Sequence, residues 1–215
     1  MITPELTLYH MPGACSQVSL CALEEAGLRY EVELLNLQAG HQNRPEFLEI
    51  SPLGKVPTLV IDGQPLTENA AILVYVASLR PAAGLFPPSF DPRAIAEAQG
   101  GLSFCAGTLH PIVRGLINPA RRATGATEGV RERALELAAK SFGAAEQRLA
   151  GRGWWLGAWS IVDVYLNWAF GLARLGGMDP APYPNLSGLQ ARLMERPAFA
   201  RTMALEAEAR AALGL

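Results

Sequence analysis

Cysteine is scarce in this chain of 215 residues: Cys15, Cys21 and Cys105 are only three, and they lie far apart. An odd, scattered set makes no disulfide framework and points to a reducing compartment, with the cytoplasm as the expected location. Histidine is equally scarce at three, and its spacing from the cysteines forms no ligand set, so no metal is expected. Charge of neither sign dominates. Eighteen basic residues stand against 20 acidic ones, which excludes the basic field a nucleic acid needs and the polybasic stretch an anionic membrane needs. No apolar run reaches the roughly 18 residues of a membrane helix. Residues 1–9 carry Pro4, Glu5 and Thr7 in place of a basic segment followed by an apolar one, so no signal peptide is expected. Small molecules or proteins remain as partners. What is abundant is apolar surface: at 50% hydrophobic residues the chain can bury a core without metals or disulfides.

The hydrophobic period changes partway along. From Leu6 to about Pro81 short alternating runs and helical runs succeed one another. Leu6 to Tyr9 reads as a strand, Ser16 to Ala26 as a helix closed by Gly27, and Tyr30 to Leu35 as a second strand, which makes a βαβ unit. Pro57 to Ile61, an Asp62-Gly63 hairpin turn, Gln64 to Leu66 and a helix from Thr67 to Leu79 add ββα. The expectation is an open sheet with helices packed on it. Pro81-Ala82-Ala83-Gly84-Leu85-Phe86-Pro87-Pro88 cannot continue a helix, so residues 1–81 are expected to form one domain and 82–92 a linker. Residues 93–215 show only helical periodicity, with segments at about 93–117, 128–150, 161–175, 186–194 and 198–212.

Four local patterns carry chemistry or capping. Leu8-Tyr9-His10-Met11-Pro12-Gly13-Ala14-Cys15-Ser16 is a strand-to-helix turn that delivers a thiol and a hydroxyl to a helix start, where unpaired N–H groups and the macrodipole favour negative charge. Ile50-Ser51-Pro52-Leu53-Gly54-Lys55-Val56-Pro57 ends on a proline just ahead of a strand. Thr67-Glu68-Asn69-Ala70-Ala71-Ile72 puts an acid and an amide at another helix start. Leu156-Gly157-Ala158-Trp159-Ser160-Ile161-Val162-Asp163 holds a capping box, with Ser160 and Asp163 in reciprocal positions. Taken in order, these patterns resemble the cytosolic glutathione S-transferase superfamily, and the first looks like the active-site turn of its bacterial beta class.

The resemblance implies an α/β thioredoxin-like N-terminal domain followed by an all-α helical domain, working as a homodimer. Glutathione is implied as co-substrate, with a hydrophobic electrophilic small molecule as the second substrate, held in a cleft between the domains. Cys15, Ser16 and His110 are then the catalytic candidates: either of the first two stabilises a thiolate, and His110 aligns with a beta-class histidine of the helical domain. Gln42 or Lys55 would meet the glycyl carboxylate. Val56, before a cis Pro57, would pair with the tripeptide backbone. Glu68 would hold the α-ammonium, and Asn69 would donate an N–H to the neighbouring carboxylate. Met11, Asn118, Tyr165 and Trp168 would shape the electrophile pocket.

Several positions depart from the family's pattern. Ser51 stands where Asn is common, Asn69 where Ser is common, and Ser103, Thr108 and Pro111 replace the Asn, Glu and Lys around the helical-domain histidine. Two alternatives to simple conjugation therefore stay open: a glutathione-dependent reductase or dehalogenase using Cys15, and a non-catalytic binding or interaction protein of the same architecture. A dithiol mechanism has no support, since Val18 occupies the position of a resolving thiol.

Overall fold

The computed structural model describes residues 4–215; residues 1–3, which open the segment read above as no signal peptide, lie outside the described residues. Packing divides the chain into two units. One extends to Leu85 and also takes in Met194–Leu215; the other is Phe86–Leu193.

In the first unit the βαβ and ββα order is observed. Strands β1 (Leu6–His10), β2 (Glu31–Leu34), β3 (Thr58–Ile61) and β4 (Gln64–Thr67) form one sheet in the order β2-β1-β3-β4. β2 runs parallel to β1, with Thr7 opposite Glu31; β3 is antiparallel to β1, with Leu8 opposite Leu59. β4 returns along β3, with Thr58 opposite Thr67. Asp62 and Gly63 both take positive φ, 47° and 79°, as a two-residue turn matched to strand twist requires.

Alternation in β1 buries Leu6, Leu8 and His10 and leaves Thr7 and Tyr9 half-buried. The Tyr9 face is covered by α2 (Pro45–Ile50), whose buried Phe47 lies against Tyr9 with ring centroids 5.2 Å apart. Helix α1 (Ser16–Glu25) packs on α3 (Asn69–Leu79) and on α9 (Pro197–Ala212). These neighbours explain why α1 is buried on most sides, from Val18 through Leu23. Arg196, just ahead of α9, grips Glu25 through two N–H donors at 2.7 and 2.8 Å. The expected division of the chain at 81 and 93 follows sequence order, whereas the last helix packs in the first unit because its buried face meets α1.

The second unit is helical. α4 (Pro92–Ser103) passes through a π-helical stretch, Phe104–Leu109, into α5 (His110–Ile117). Pro111 has no N–H to donate and its ring crowds the carbonyl four residues back. The wider turn, in which the His110 N–H donates to the Cys105 carbonyl, absorbs that conflict without ending the helical path. α6 (Glu128–Leu149), α7 (Ile161–Leu175) and α8 (Pro184–Met194) complete the unit. α7 is the core helix, buried over Ile161–Leu166 and again at Trp168, Ala169, Phe170 and Ala173. Its capping box is formed as the sequence predicts. Asp163 is fully buried and accepts from the Ser160 N–H at 2.9 Å and the Trp155 N–H at 2.8 Å. No helix among the described residues is long and apolar enough to cross a membrane.

Candidate active site

Cys15 caps the start of α1 and is only 4% exposed. Its thiol donates to the Val56 carbonyl at 3.6 Å, joining the α1 turn to the segment before β3. The Val56–Pro57 bond is cis. Gly13, at the crest of the turn, has φ 81°, and a Cβ there would stand 3.0 Å from an Arg210 guanidinium nitrogen. The positive φ is what favours glycine here, since the exposed Arg210 side chain can swing away.

Ser16 does not stand beside Cys15 as a second thiol partner. Its hydroxyl is fully buried, 2.8 Å from His10 Nδ1, and lies 3.3 Å from both the N–H and the carbonyl of Met11. These contacts close the turn around the hydroxyl that the resemblance offers, with Cys15, as a catalytic candidate. Met11 itself is buried at the base of the same turn.

Asn69 meets a similar fate. Its side-chain oxygen accepts from Ser19 Oγ at 2.6 Å and its side-chain nitrogen donates to the Cys15 carbonyl at 2.9 Å. The amide ties the start of α3 to the start of α1 through its oxygen and one of its two side-chain N–H donors. Glu68 precedes it, exposed, with φ 71° and ψ 112°. A non-glycine residue on that side of the map is strained by about 1–3 kcal/mol.

Lys55 is exposed, while its carbonyl accepts from Ser51 Oγ and Thr58 Oγ1, each at 3.1 Å. Gln42 lies in a short 3-10 turn, His41–Asn43, with a buried side-chain oxygen. In the second unit His110, Tyr165 and Trp168 come together. The His110 ring meets Trp168 edge-on at 4.8 Å, and Tyr165 meets Trp168 at 5.7 Å. His110 Nε2 accepts from Arg114 at 3.2 Å, so the neutral ring carries its proton on Nδ1, which faces the Tyr165 hydroxyl at 3.5 Å. Asn118 is exposed at the far end of α5 and caps it.

Sequence reasoning passed over His10, Ser19 and Glu206. His10 is fully buried, with Nε2 3.1 Å from Glu206 Oε1, at ion-pair distance but out of line for a hydrogen bond. The other Glu206 oxygen accepts the Gly13 N–H at 2.7 Å. Two signals were present: a histidine continuing the apolar row Leu6, Leu8, and a glutamate in register with Phe199 and Thr202 on the buried face of α9. Ser19 gave none.

Among the described residues no group of three or more His, Cys, Asp or Glu is placed to hold a metal ion. Residues 4–78 match the family model for the glutathione S-transferase N-terminal domain. The chain is 31% identical to glutathione S-transferase GST-4.5 of Xanthomonas campestris pv. campestris, over 97% of each. It is also similar to the structure of a glutathione transferase homolog from Sulfitobacter with bound glutathione, at 30% identity and TM-score 0.85, over 93% of this chain and 97% of that one. A bacterial beta class glutathione S-transferase from Sphingomonas chungbukensis gives 30% identity and TM-score 0.82, over 93% of this chain and 98% of that one. The mixed four-stranded sheet is of the thioredoxin-like type, and with these likenesses spanning nearly the whole length, the chain belongs to the glutathione S-transferase family.

Proposed function

We propose that the first unit binds glutathione and that Cys15, not Ser16, governs the sulfur it delivers to an electrophilic small molecule. The observation that carries this reading is the Cys15 thiol at the start of α1 standing 3.6 Å from the Val56 carbonyl, with exposed Glu68 leading into α3. A tripeptide needs three kinds of recognition, and this unit offers each. Main-chain groups at Val56 receive its backbone. Glu68 receives the ammonium and the α3 N-terminus the adjoining carboxylate. Lys55 and Gln42 are the groups assigned to the glycyl end. Sulfur then lies at a helix N-terminus, which favours the thiolate.

His110, Tyr165, Trp168 and Asn118 of the helical unit are assigned to the electrophile. Millimolar glutathione should raise the thermal midpoint, and the protein should be retained on immobilised glutathione. Neither effect in the wild type would sink the reading. His110→Ala should lower kcat/KM for the electrophile and leave glutathione affinity unchanged. Homodimerisation belongs to the same proposal, and a monomer by sedimentation would remove it. Three free cysteines support a reducing, cytoplasmic setting.

A second chemistry is glutathione-dependent disulfide reduction, in which the Cys15 thiolate takes the glutathionyl group from a mixed disulfide, releasing the other thiol, and a second glutathione thiolate removes it as glutathione disulfide. It is favoured by the engagement of Ser16, which leaves Cys15 as the thiol at the α1 start. Cys15→Ala should reduce this glutathione-dependent disulfide reduction more than conjugation. Equal losses, or none, would take Cys15 out of the mechanism.

A further inference from the structure

We propose that Glu206, on the last helix of the chain, is a positioning residue for the Cys15 turn. The inference rests on the glutathione chemistry proposed above but begins from two misfits in the hydrophobic pattern. β1 buries every second residue, so His10 falls in the apolar row of Leu6 and Leu8. α9 buries Phe199, Thr202 and Glu206 along one face, so an acid falls where an apolar residue would serve for packing alone. A buried polar group without a partner is costly. These two residues meet, with His10 Nε2 3.1 Å from Glu206 Oε1, at ion-pair distance though out of line for a hydrogen bond.

The second oxygen of Glu206 reaches further, taking the Gly13 N–H at 2.7 Å. His10, through Nδ1, stands 2.8 Å from Ser16 Oγ. One carboxylate thus holds the turn at its crest and, through the imidazole, at the residue following Cys15. Asn69 holds the Cys15 carbonyl from the other side at 2.9 Å. Carboxylate, imidazole and hydroxyl in a row have the composition of a nucleophilic triad. Ser16 is fully buried, however, so no substrate reaches its oxygen, and the row serves to place the neighbouring thiol. Gln17 donating to Met203 Sδ and the Arg196–Glu25 pair dock α9 elsewhere on α1 without touching the turn.

Glu206 should therefore affect the step at sulfur and not the grip on the tripeptide. In Glu206→Ala, kcat for glutathione-dependent turnover should fall about tenfold or more, as expected when a reacting group is displaced. Affinity for S-methylglutathione, which lacks the thiol, should stay within about threefold. Alkylation of Cys15 by iodoacetamide, followed by peptide mass mapping, should quicken about fivefold or more as the buried thiol becomes reachable. Cys21 is pushed up to about 12, chiefly by burial, and gives no competing signal. Glu206→Gln keeps an oxygen for the Gly13 N–H and should restore both readouts to within about threefold of wild type. Glu206→Asp, one methylene shorter, should move them in the same direction as alanine and serves if the alanine variant does not fold. Arg196→Ala should lower Tm yet leave both readouts unmoved. Wild-type kcat and alkylation in Glu206→Ala, or the same changes in Arg196→Ala, would overturn the proposal. If wild-type protein does not bind S-methylglutathione, the glutathione reading fails and the alkylation series alone decides the role of Glu206.

Discussion

Replacing Glu68 by glycine should make the protein more stable and a poorer binder at once. Glu68 holds φ 71° and ψ 112°, where a Cβ costs about 1–3 kcal/mol. Glycine removes that cost but frees the unfolded chain, which returns about 0.4–1 kcal/mol of it. The side chain is exposed, so its removal leaves no cavity. The net expectation is a gain of about 1 kcal/mol, read as a rise in Tm of roughly 2–4 °C for a chain of this size. Binding should move the other way. A hydrogen bond between the Glu68 carboxylate and the glutathione ammonium is worth about 1.5–3 kcal/mol, so affinity should fall roughly 10- to 100-fold. Urea unfolding without ligand measures the first quantity and isothermal titration calorimetry the second. Glu68→Ala is the control: it keeps the Cβ and the strain, loses the carboxylate, and should show the affinity loss without the stabilisation. A glycine variant no more stable than the alanine variant would refute the strain argument. Affinity within twofold of wild type would refute the assignment of Glu68 to the ligand.

Three further outcomes follow from the helical unit. Asp163→Ala leaves the buried N–H groups of Trp155 and Ser160 without their acceptor and should cost about 2 kcal/mol or more at pH 7 in urea unfolding. Burial pushes the Asp163 carboxyl up from 3.8 to about 6, against the lowering effect of its hydrogen bonds. Between those values the folded chain therefore holds the proton that the unfolded chain has released. Its contribution is complete below about pH 4 and is lost as pH rises through about 6, by up to about 3 kcal/mol. Stability of wild type relative to Asp163→Asn, measured across this range, should fall with rising pH; a flat difference would contradict it. Gly101→Ala would place a Cβ 2.6 Å from Trp155 Nε1 and 2.9 Å from Val162 Cγ1. Overpacking costs about 1–3 kcal/mol and outweighs the roughly 1 kcal/mol gained in helix propensity, so Tm should fall and tryptophan emission should shift.

Much of the fold was legible because it depends on near neighbours along the chain. Alternation in Leu6–His10, the Asp62-Gly63 turn, the Pro12-Gly13 run into Cys15 and the Ser160–Asp163 box each satisfy a local steric or hydrogen-bonding rule, and each forms where the sequence places it. α2 escaped notice because a helix of six residues is too short to show a period. Pro111 falls inside the segment read as helical over 93–117 and has no N–H for its ladder, but only the packed unit decided that the disturbance is a π-helical stretch.

The candidate site divides in the same way. The helix start at Cys15 and the cis Val56–Pro57 bond were readable from motifs that depend on the local backbone. Which hydroxyl or amide is left over for a ligand was not readable, because a buried polar group takes whichever partner packing brings within reach. Ser16 goes to His10 and Met11, and Asn69 to Ser19 and Cys15. What the sequence held for His10 and Glu206 was only their phase with neighbours, Leu6 and Leu8 for the one and Phe199 and Thr202 for the other, and no partner could be read from that. That they are partners of one another, and that the last helix thereby reaches the Cys15 turn, was decided only when the tertiary structure set α9 against α1.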